Sequence, residues 1–171
     1  MTDPAGQRAV GITAVARVED GPGTWGHRSH GEPVEVGSWA AIERAIQRLD
    51  GASYNELTIS RCLARDAEDS SQSDCENLSV GGGEDGRVSV IHVATRPNGI
   101  VFHMAVQRDR GEKIETRTIG GQGSDLPSKR WVSKDVALRA VRSFMEHGGM
   151  APDMDWEFDF LDPGGAPLLL K

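Results

Sequence analysis

The chain has 171 residues, of which 37% are hydrophobic, and a formal net charge of −7. This length suits a single domain with its own core and is short for two domains. The negative charge argues against a nucleic-acid-binding surface or an anionic membrane surface, because both need clustered Lys and Arg. It permits a basic protein partner, although net charge alone favours simple solubility as its explanation.

The cysteine count and the hydropathy pattern indicate a cellular compartment. Cys62 and Cys75 are too few for a disulfide framework. No N-terminal segment combines basic residues with an apolar run, and no apolar stretch approaches the roughly 20 residues that span a bilayer. We therefore expect a cytoplasmic protein with reduced thiols and no membrane partner.

The first third of the chain predicts a strand, a loop and a helix. Residues 1–8 are polar and expected to be flexible, and Ala9–Val18 alternates in the way of a strand. Glu19–Pro33 is rich in Gly and Pro, which predicts a long loop that carries Trp25. Trp39–Leu49 has helical periodicity. One face of this helix is apolar: Trp39, Ile42, Ile46 and Leu49.

The middle of the chain predicts short strands separated by turns. Leu57–Leu63 is a strand candidate, and Arg65–Glu76 is polar and acidic, which predicts an exposed loop. Gly120–Lys129 is predicted to be a loop. The four strands predicted between these two loops are Leu78–Gly82, Val88–Ala94, Ile100–Val106 and Lys113–Ile119, the last of them at a sheet edge.

The C-terminal region predicts one complete helix followed by a strand. Ser133 can cap the helix, Gly148 or Gly149 can end it and Pro152 prevents its continuation. Trp156–Phe160 alternates as a final strand, and 163–171 is expected to be a flexible tail. The apolar stripe of the helix consists of Ala137, Ala140, Val141, Phe144 and Met145.

The order of these elements is strand, helix, several strands, helix and strand. Consecutive short strands joined by tight turns predict an antiparallel meander. Two helices with one apolar stripe each must bury those stripes against the sheet. We therefore predict a single α+β domain over residues 1–171, with an antiparallel sheet and two main helices packed on it.

The search for catalytic, metal or cofactor motifs finds little. Cys62 and Cys75 have no metal-ligand spacing, and the runs Gly81–Gly83 and Gly120–Gly123 lack the residues of a phosphate loop. The glycine runs therefore indicate turns or close backbone approaches. His92 and His103 lie on neighbouring predicted strands, where a structural pair is favoured over an acid–base or metal pair. We expect no cofactor, no metal and no catalytic residues.

Two segments are candidates for protein binding. The acidic segment can meet a Lys- and Arg-rich groove as a phosphate backbone would, or can simply be a solvated loop. Its carboxylates are Asp66, Glu68, Asp69, Asp74 and Glu76. An exposed Trp25 in the Gly-rich loop would be a contact anchor.

Two stretches of the chain resemble a known family. They are Leu78-Ser-Val-Gly-Gly-Gly-Glu-Asp-Gly-Arg-Val-Ser-Val and the later succession Trp131, Ala137, Ala140, Val141, Phe144, Gly148, Pro152 and Trp156. Together they resemble the Imm1 family of bacterial immunity proteins, over roughly residues 38 to 157. These motifs are structural. The acidic segment and the loop with Trp25 have no counterpart in the family pattern.

The resemblance implies a non-enzymatic inhibitor that forms a heterodimer with a cognate toxin of a polymorphic toxin system. Such toxins are often nucleic-acid deaminases, so the implied action is to occlude an active site or a substrate groove. The toxin-binding candidates are then Trp25, Asp66, Glu68, Asp69, Asp74, Glu76, Glu84 and Asp85. Nucleic acid itself is not an expected partner.

Two alternatives remain open at the level of sequence. The first is a module that binds some other basic protein through the acidic segment. The second, which the absence of motifs makes weaker, is a small enzyme that uses His92 and His103.

Overall fold

The computed structural model describes residues 10–19, 29–63, 75–96 and 99–161. These residues form an antiparallel sheet with two helices, which confirms the predicted α+β class. The ends predicted to be flexible, 1–8 and 163–171, lie outside the described residues. No helix in the described part is long and apolar enough to cross a membrane.

The described residues form ten strands and two α-helices, together with three short 3-10 helices. The helices are α1 (Trp39–Arg48) and α2 (Lys134–His147). The strands are β1 (Val10–Glu19), β2 (Ser29–Val34), β3 (Tyr54–Leu63), β4 (Cys75–Gly82), β5 (Arg87–Arg96), β6 (Gly99–Ala105), β7 (Ile114–Ile119), β8 (Gln122–Pro127), β9 (Val132–Ser133) and β10 (Trp156–Leu161).

The main sheet has the strand order β10-β6-β5-β4-β3-β1-β2, and the short β9 pairs with the start of β5. All of these pairings are antiparallel. The meander β3-β4-β5-β6 forms its centre, as the run of short strands predicts. β7 and β8 form a separate two-stranded hairpin.

Both helices cover one face of the main sheet, called the helix face here. Ser38 caps α1 by accepting from the N–H of Ala41, and Ser133 caps α2 by accepting from the N–H of Val136. α2 ends at Gly148, whose φ of 72° suits glycine. The buried residues that the helices contribute include Ile42, Ile46, Ala137, Ala140, Val141 and Phe144. The predicted stripe of the second helix is confirmed, with Met145 partly buried.

The predicted loop Glu19–Pro33 and the predicted loop Gly120–Lys129 are each wrong in part. Ser29–Val34 is the edge strand β2, and Gln122–Pro127 is β8. Both strands are rich in Gly, Pro or polar residues, so their conformation comes from pairing with β1 and β7 and not from their own propensity. Pro33 is tolerated because β2 lies at an edge.

One boundary prediction also needs correction. The predicted acidic loop Arg65–Glu76 extends too far, since Cys75 and Glu76 already pair with Cys62 and Arg61 in β4. The edge strand predicted at Lys113–Ile119 is observed as β7, which is an edge of the separate two-stranded sheet that it forms with β8.

Candidate functional site

The main sheet has two ends, and the binding candidates divide between them. At the turn end, β4 passes into β5 through Gly83–Gly86, which contains Glu84 and Asp85. At the loop end, β3 leads through residues 64–74 into β4, which begins at Cys75 and Glu76. Glu76 and Gly82 are six steps apart on β4, which corresponds to about 20 Å. The structure therefore does not bring Glu76 together with Glu84 and Asp85.

The remaining candidates lie outside the described residues, but the residues that flank them are described. Asp66, Glu68, Asp69 and Asp74 fall between Leu63 and Cys75, which both lie at the loop end. Trp25 falls between Glu19 and Ser29, which pair with each other at the turn end. The acidic segment and the Trp25 segment therefore leave the sheet at opposite ends.

The turn Gly83–Gly86 presents two carboxylates in a fixed backbone. The N–H of Gly83 donates to the carbonyl of Arg87 across 2.9 Å, and the N–H of Gly86 donates to the carbonyl of Gly83 across 3.1 Å. Asp85 has φ 53° and ψ 26°, a left-handed conformation that is uncommon outside glycine. Its side chain is 78% exposed. The turn therefore points a carboxylate at solvent from a constrained position.

Arg117 of β7 holds this turn from beneath. Its side chain is only 7% exposed, and its Nη1 donates to the carbonyl of Glu84 across 3.0 Å and to Oδ2 of Asp85 across 3.4 Å. Its Nη2 lies 2.9 Å from Oε2 of Glu115. The guanidinium also lies 5.5 Å from the ring of Trp131, which is fully buried. The hairpin and the turn are thereby joined through one buried cation.

Glu115 is the centre of the ion network under the turn. It accepts from Arg117 and Arg87, and its Oε1 accepts from the hydroxyl of Ser128 across 2.7 Å. The Ser128 hydrogen bond, followed by the hydrogen bond and charge of Arg87, lowers the pKa of Glu115 below its usual value despite its desolvation. Glu115 is therefore ionised in the folded protein at neutral pH.

The glycines beside the turn are required by close packing. A Cβ at Gly83 would overlap the backbone of Leu49, and Gly83 has φ 126°. A Cβ at Gly81 would overlap the side chain of Ile119, and one at Gly82 would lie 3.1 Å from the ring of Trp131. The prediction that Gly81–Gly83 marks a close backbone approach is confirmed, and its role is structural.

The charge of this end is more balanced than the acidic sequence of the turn indicates. Three carboxylates, on Glu84, Asp85 and Glu115, surround the guanidinium groups of Arg87 and Arg117. The exposed oxygens of Asp85 and Glu84 can still accept hydrogen bonds from Lys or Arg of a partner. The network also holds Glu84 and Asp85 in place before a partner binds, which lowers the entropic cost of binding.

The loop end carries a row of side chains on the helix face. Nε2 of His92 lies 3.3 Å from Oε2 of Glu76, and the rings of His92 and His103 are 5.8 Å apart. The ring of His103 lies 5.3 Å from that of Phe158. His92 is only 3% exposed and also packs edge-on against Phe144 of α2.

This geometry favours the structural interpretation of the two histidines. The ring of His92 is buried among His103, Phe144 and Glu76, which leaves it in the core and not at a cleft. In the described ranges, no three His, Cys, Asp or Glu side chains are grouped so as to hold a metal ion.

A second ion network lies beside β10. Nζ of Lys129 lies 2.6 Å from Oε1 of Glu112 and 2.5 Å from Oε1 of Glu157, whose Oε2 accepts from Nε of Arg130 across 3.1 Å. Desolvation raises the pKa of Glu157, but the hydrogen bonds from Lys129 and Arg130 outweigh it and leave the pKa below its usual value. This network fixes the start of the outermost strand.

Sequence reasoning missed both ion networks. The one local signal is Glu115-Thr-Arg117, in which opposite charges fall on the same face of a strand. Their other partners, Arg87 and Ser128, are distant in sequence, and no spacing rule connects them.

Comparison with known proteins places the chain in a family context. The family model described as immunity protein Imm1 matches residues 30–157, about three quarters of the chain. The match includes the turn Gly83–Gly86, both ion networks and the acidic segment, and it excludes Trp25. No curated protein and no solved structure matches the chain.

Proposed function

The chain belongs to the Imm1 family of immunity proteins, and from this membership we propose that it binds a cognate bacterial toxin and inhibits it. The family match is the observation that carries the proposal. The interior position of His92 supports an inhibitor over an enzyme, because that ring is packed in the core.

The proposed target is a toxin that deaminates DNA or RNA. A deaminase of this kind needs a groove that accepts an anionic strand and a pocket that receives the base. A protein with a net charge of −7 can occupy such a groove and exclude the substrate. Nucleic acid itself is not a proposed partner, and the inhibition needs no cofactor or metal.

The proposed contacts come from both ends of the sheet. Trp25 would act as an apolar anchor, and the carboxylates would meet Lys and Arg of the toxin. Glu84 and Asp85 are already held by Arg117, so they suit specific hydrogen bonds. The proposed carboxylates of the loop end are Asp66, Glu68, Asp69, Asp74 and Glu76. A cytoplasmic heterodimer with one copy of each chain is the proposed assembly.

The test is co-expression with the toxin encoded by the neighbouring gene. We expect cells that carry both genes to survive and the two proteins to purify together. Reversing Asp66, Glu68 and Asp69 to Lys should slow association at least tenfold at low salt, because long-range attraction sets the encounter rate.

The matched control changes the net charge by the same amount elsewhere. In this control, three exposed carboxylates are reversed to Lys. They are Glu43 on α1, Glu146 on α2 and Asp153 in the segment after α2. Equal slowing in both triple variants would refute the acidic segment as a specific contact. Death of the co-expressing cells would refute the immunity function.

A further inference from the structure

The face of the main sheet opposite the helices, called the open face here, is polar in one part and apolar in another. On β3 and β4 its side chains are Thr58, Ser60, Asn77 and Ser79, as expected for an antiparallel sheet with one solvated face. On β5 and β6 its side chains alternate with those of His92 and His103, which lie on the helix face, and they are apolar. This part, called the apolar half here, includes Ile91, Val93, Ile100 and Phe102.

The apolar half has less cover than its composition predicts. Within the described ranges both helices lie on the helix face, and the β7–β8 hairpin reaches the open face at Gly81 of β4, where Ile119 packs. Val93 and Phe102, which pair with each other, stay partly exposed, and Ile100 is 42% exposed. Strands that are apolar on both faces are typical of sheets covered on both faces. The pattern of β5 and β6 therefore predicts a further covering segment.

The C-terminal residues 162–171 begin beside the apolar half. β10 ends at Leu161, whose backbone pairs with Ile100, and Phe102 lies two residues further along β6, about 7 Å away. The remaining sequence is Asp162-Pro-Gly-Gly-Ala-Pro-Leu-Leu-Leu-Lys171. Its Pro-Gly-Gly favours a reversal of the chain. The seven steps from residue 161 to residue 168 span up to about 23 Å, which is enough to return over Phe102.

Composition favours these three leucines over the other segments that could reach the open face. The acidic segment leaves from β3 and β4, where the open face is polar, and its residues 66–74 include no large apolar side chain. A second molecule would have to compete with a segment of the same chain. Through so short a connection, that segment has an effective concentration of millimolar order. The chain's own leucines are therefore the favoured occupant.

We propose that the leucines of residues 168–170 fold back over the apolar half and cover Val93, Ile100 and Phe102. The contact is intramolecular, and burial of apolar surface stabilises it. Composition alone predicts a flexible tail over 163–171, whereas this contact orders its leucines. The family match ends at residue 157, so the inference concerns a segment outside that match and goes beyond the proposed function. Its failure would leave the proposed function untouched.

Nuclear Overhauser effects between methyl groups of the full chain test the contact directly. We expect them from residues 168–170 to Val93, Ile100 and the ring of Phe102, with backbone order parameters of about 0.85 for residues 168–170. Order parameters below about 0.6 without these effects would show a free tail and overturn the inference. Contacts of the leucines with other residues would overturn it too. So would contacts seen only between differently labelled copies in a mixed sample, because a second copy would then be the occupant.

A matched pair of variants separates docking from a general effect of charge. Ile100 and Ile114 are both exposed isoleucines on strands, but only Ile100 lies on the apolar half. Ile100→Lys places a charge beneath the leucines, so the order parameters of residues 168–170 should fall below about 0.6. Ile114→Lys should leave them unchanged. The same order parameters in both variants would contradict docking on the apolar half.

A change in the tail gives the reciprocal readout and leaves the sheet sequence intact. Leu169→Lys should shift the methyl signal of Ile100 and the ring signals of Phe102, because the covering side chain is lost. Its control is Ala166→Lys, which adds the same charge before the leucines. Signals of Ile100 and Phe102 that stay in place in Leu169→Lys, or that move equally in both variants, would overturn the inference.

Discussion

Arg117 and Glu115, two residues apart on β7, bring Nη2 and Oε2 within 2.9 Å of each other beneath the turn that carries Asp85. The pair joins the β7–β8 hairpin to the main sheet, because Arg117 also donates to the carbonyl of Glu84 and Glu115 also accepts from Arg87. An exposed acidic turn is thereby held by a largely buried cation. We therefore expect this pair to support the turn.

Removing the buried cation should destabilise the protein. Arg117→Met removes the hydrogen bonds to the carbonyl of Glu84, to Asp85 and to Glu115, although Glu115 keeps Arg87 and Ser128. Loss of one member of a buried pair costs about 3 kcal/mol in the free energy of unfolding. The control is Arg108→Met, whose exposed pair with Asp155 should contribute less than about 1 kcal/mol. Urea unfolding measures both. Equal losses would show that Arg117 has no special structural role.

The lowered pKa of Glu115 predicts a pH-dependent contribution to stability. Its carboxylate is stabilised in the folded state, so the contribution is full above the unfolded-state pKa of about 4.3. It is lost as the pH falls through the lower folded-state value. Glu115→Gln should therefore be less stable than the parent at pH 7, and the difference should shrink by about pH 3.

Urea unfolding at pH 7 and pH 3 checks this expectation, with Glu43→Gln on the exposed face of α1 as the control. The control should resemble the parent protein at both values. A Glu115→Gln deficit that stays constant with pH would count against ionisation as its cause.

The packing at the glycine run predicts an asymmetric response to alanine. Gly83→Ala adds a Cβ against the backbone of Leu49 at a φ of 126°, so we expect a loss of about 3 kcal/mol or more. Gly37→Ala adds a Cβ with nothing within 4 Å, and should change stability by less than about 0.5 kcal/mol. Thermal unfolding of both variants measures the difference, and a neutral Gly83→Ala would contradict the observed close approach.

The two histidines should be dispensable for toxin inhibition. Replacing both His92 and His103 by Gln removes any acid–base chemistry, and the amide in place of the His92 ring can still meet Glu76. We expect the folded double variant to protect cells against the toxin as the parent does. Circular dichroism checks the fold beside the co-expression assay. A well-folded variant that no longer protects would revive the enzymatic alternative.

Much of the fold could be predicted from local patterns. Ser133, the stripe from Ala137 to Phe144, and Gly148 specify α2 within one stretch of sequence, and all of these features are observed. The same holds for α1 with Ser38 and for the alternating strand that begins at Trp156. Periodicity works at these places because one buried face dictates each pattern.

The rest depends on contacts between distant residues. β2 and β8 have weak strand propensity and exist through their partners, so their sequences indicated loops. The sequence alone presents Arg117 as one more surface charge. Its burial follows only from the packing of β7 beneath the turn. The division of the acidic candidates between two ends of the sheet likewise follows from strand register, which the sequence alone does not specify.

The proposed function requires that the chain bind and inhibit the toxin encoded next to it. The decisive measurement is a titration of that purified toxin with this protein, followed by the heat of binding and by residual toxin activity. We expect saturation at one copy per toxin and loss of activity at that same ratio. An absence of binding heat, with toxin activity unchanged at several-fold excess of this protein, would contradict it.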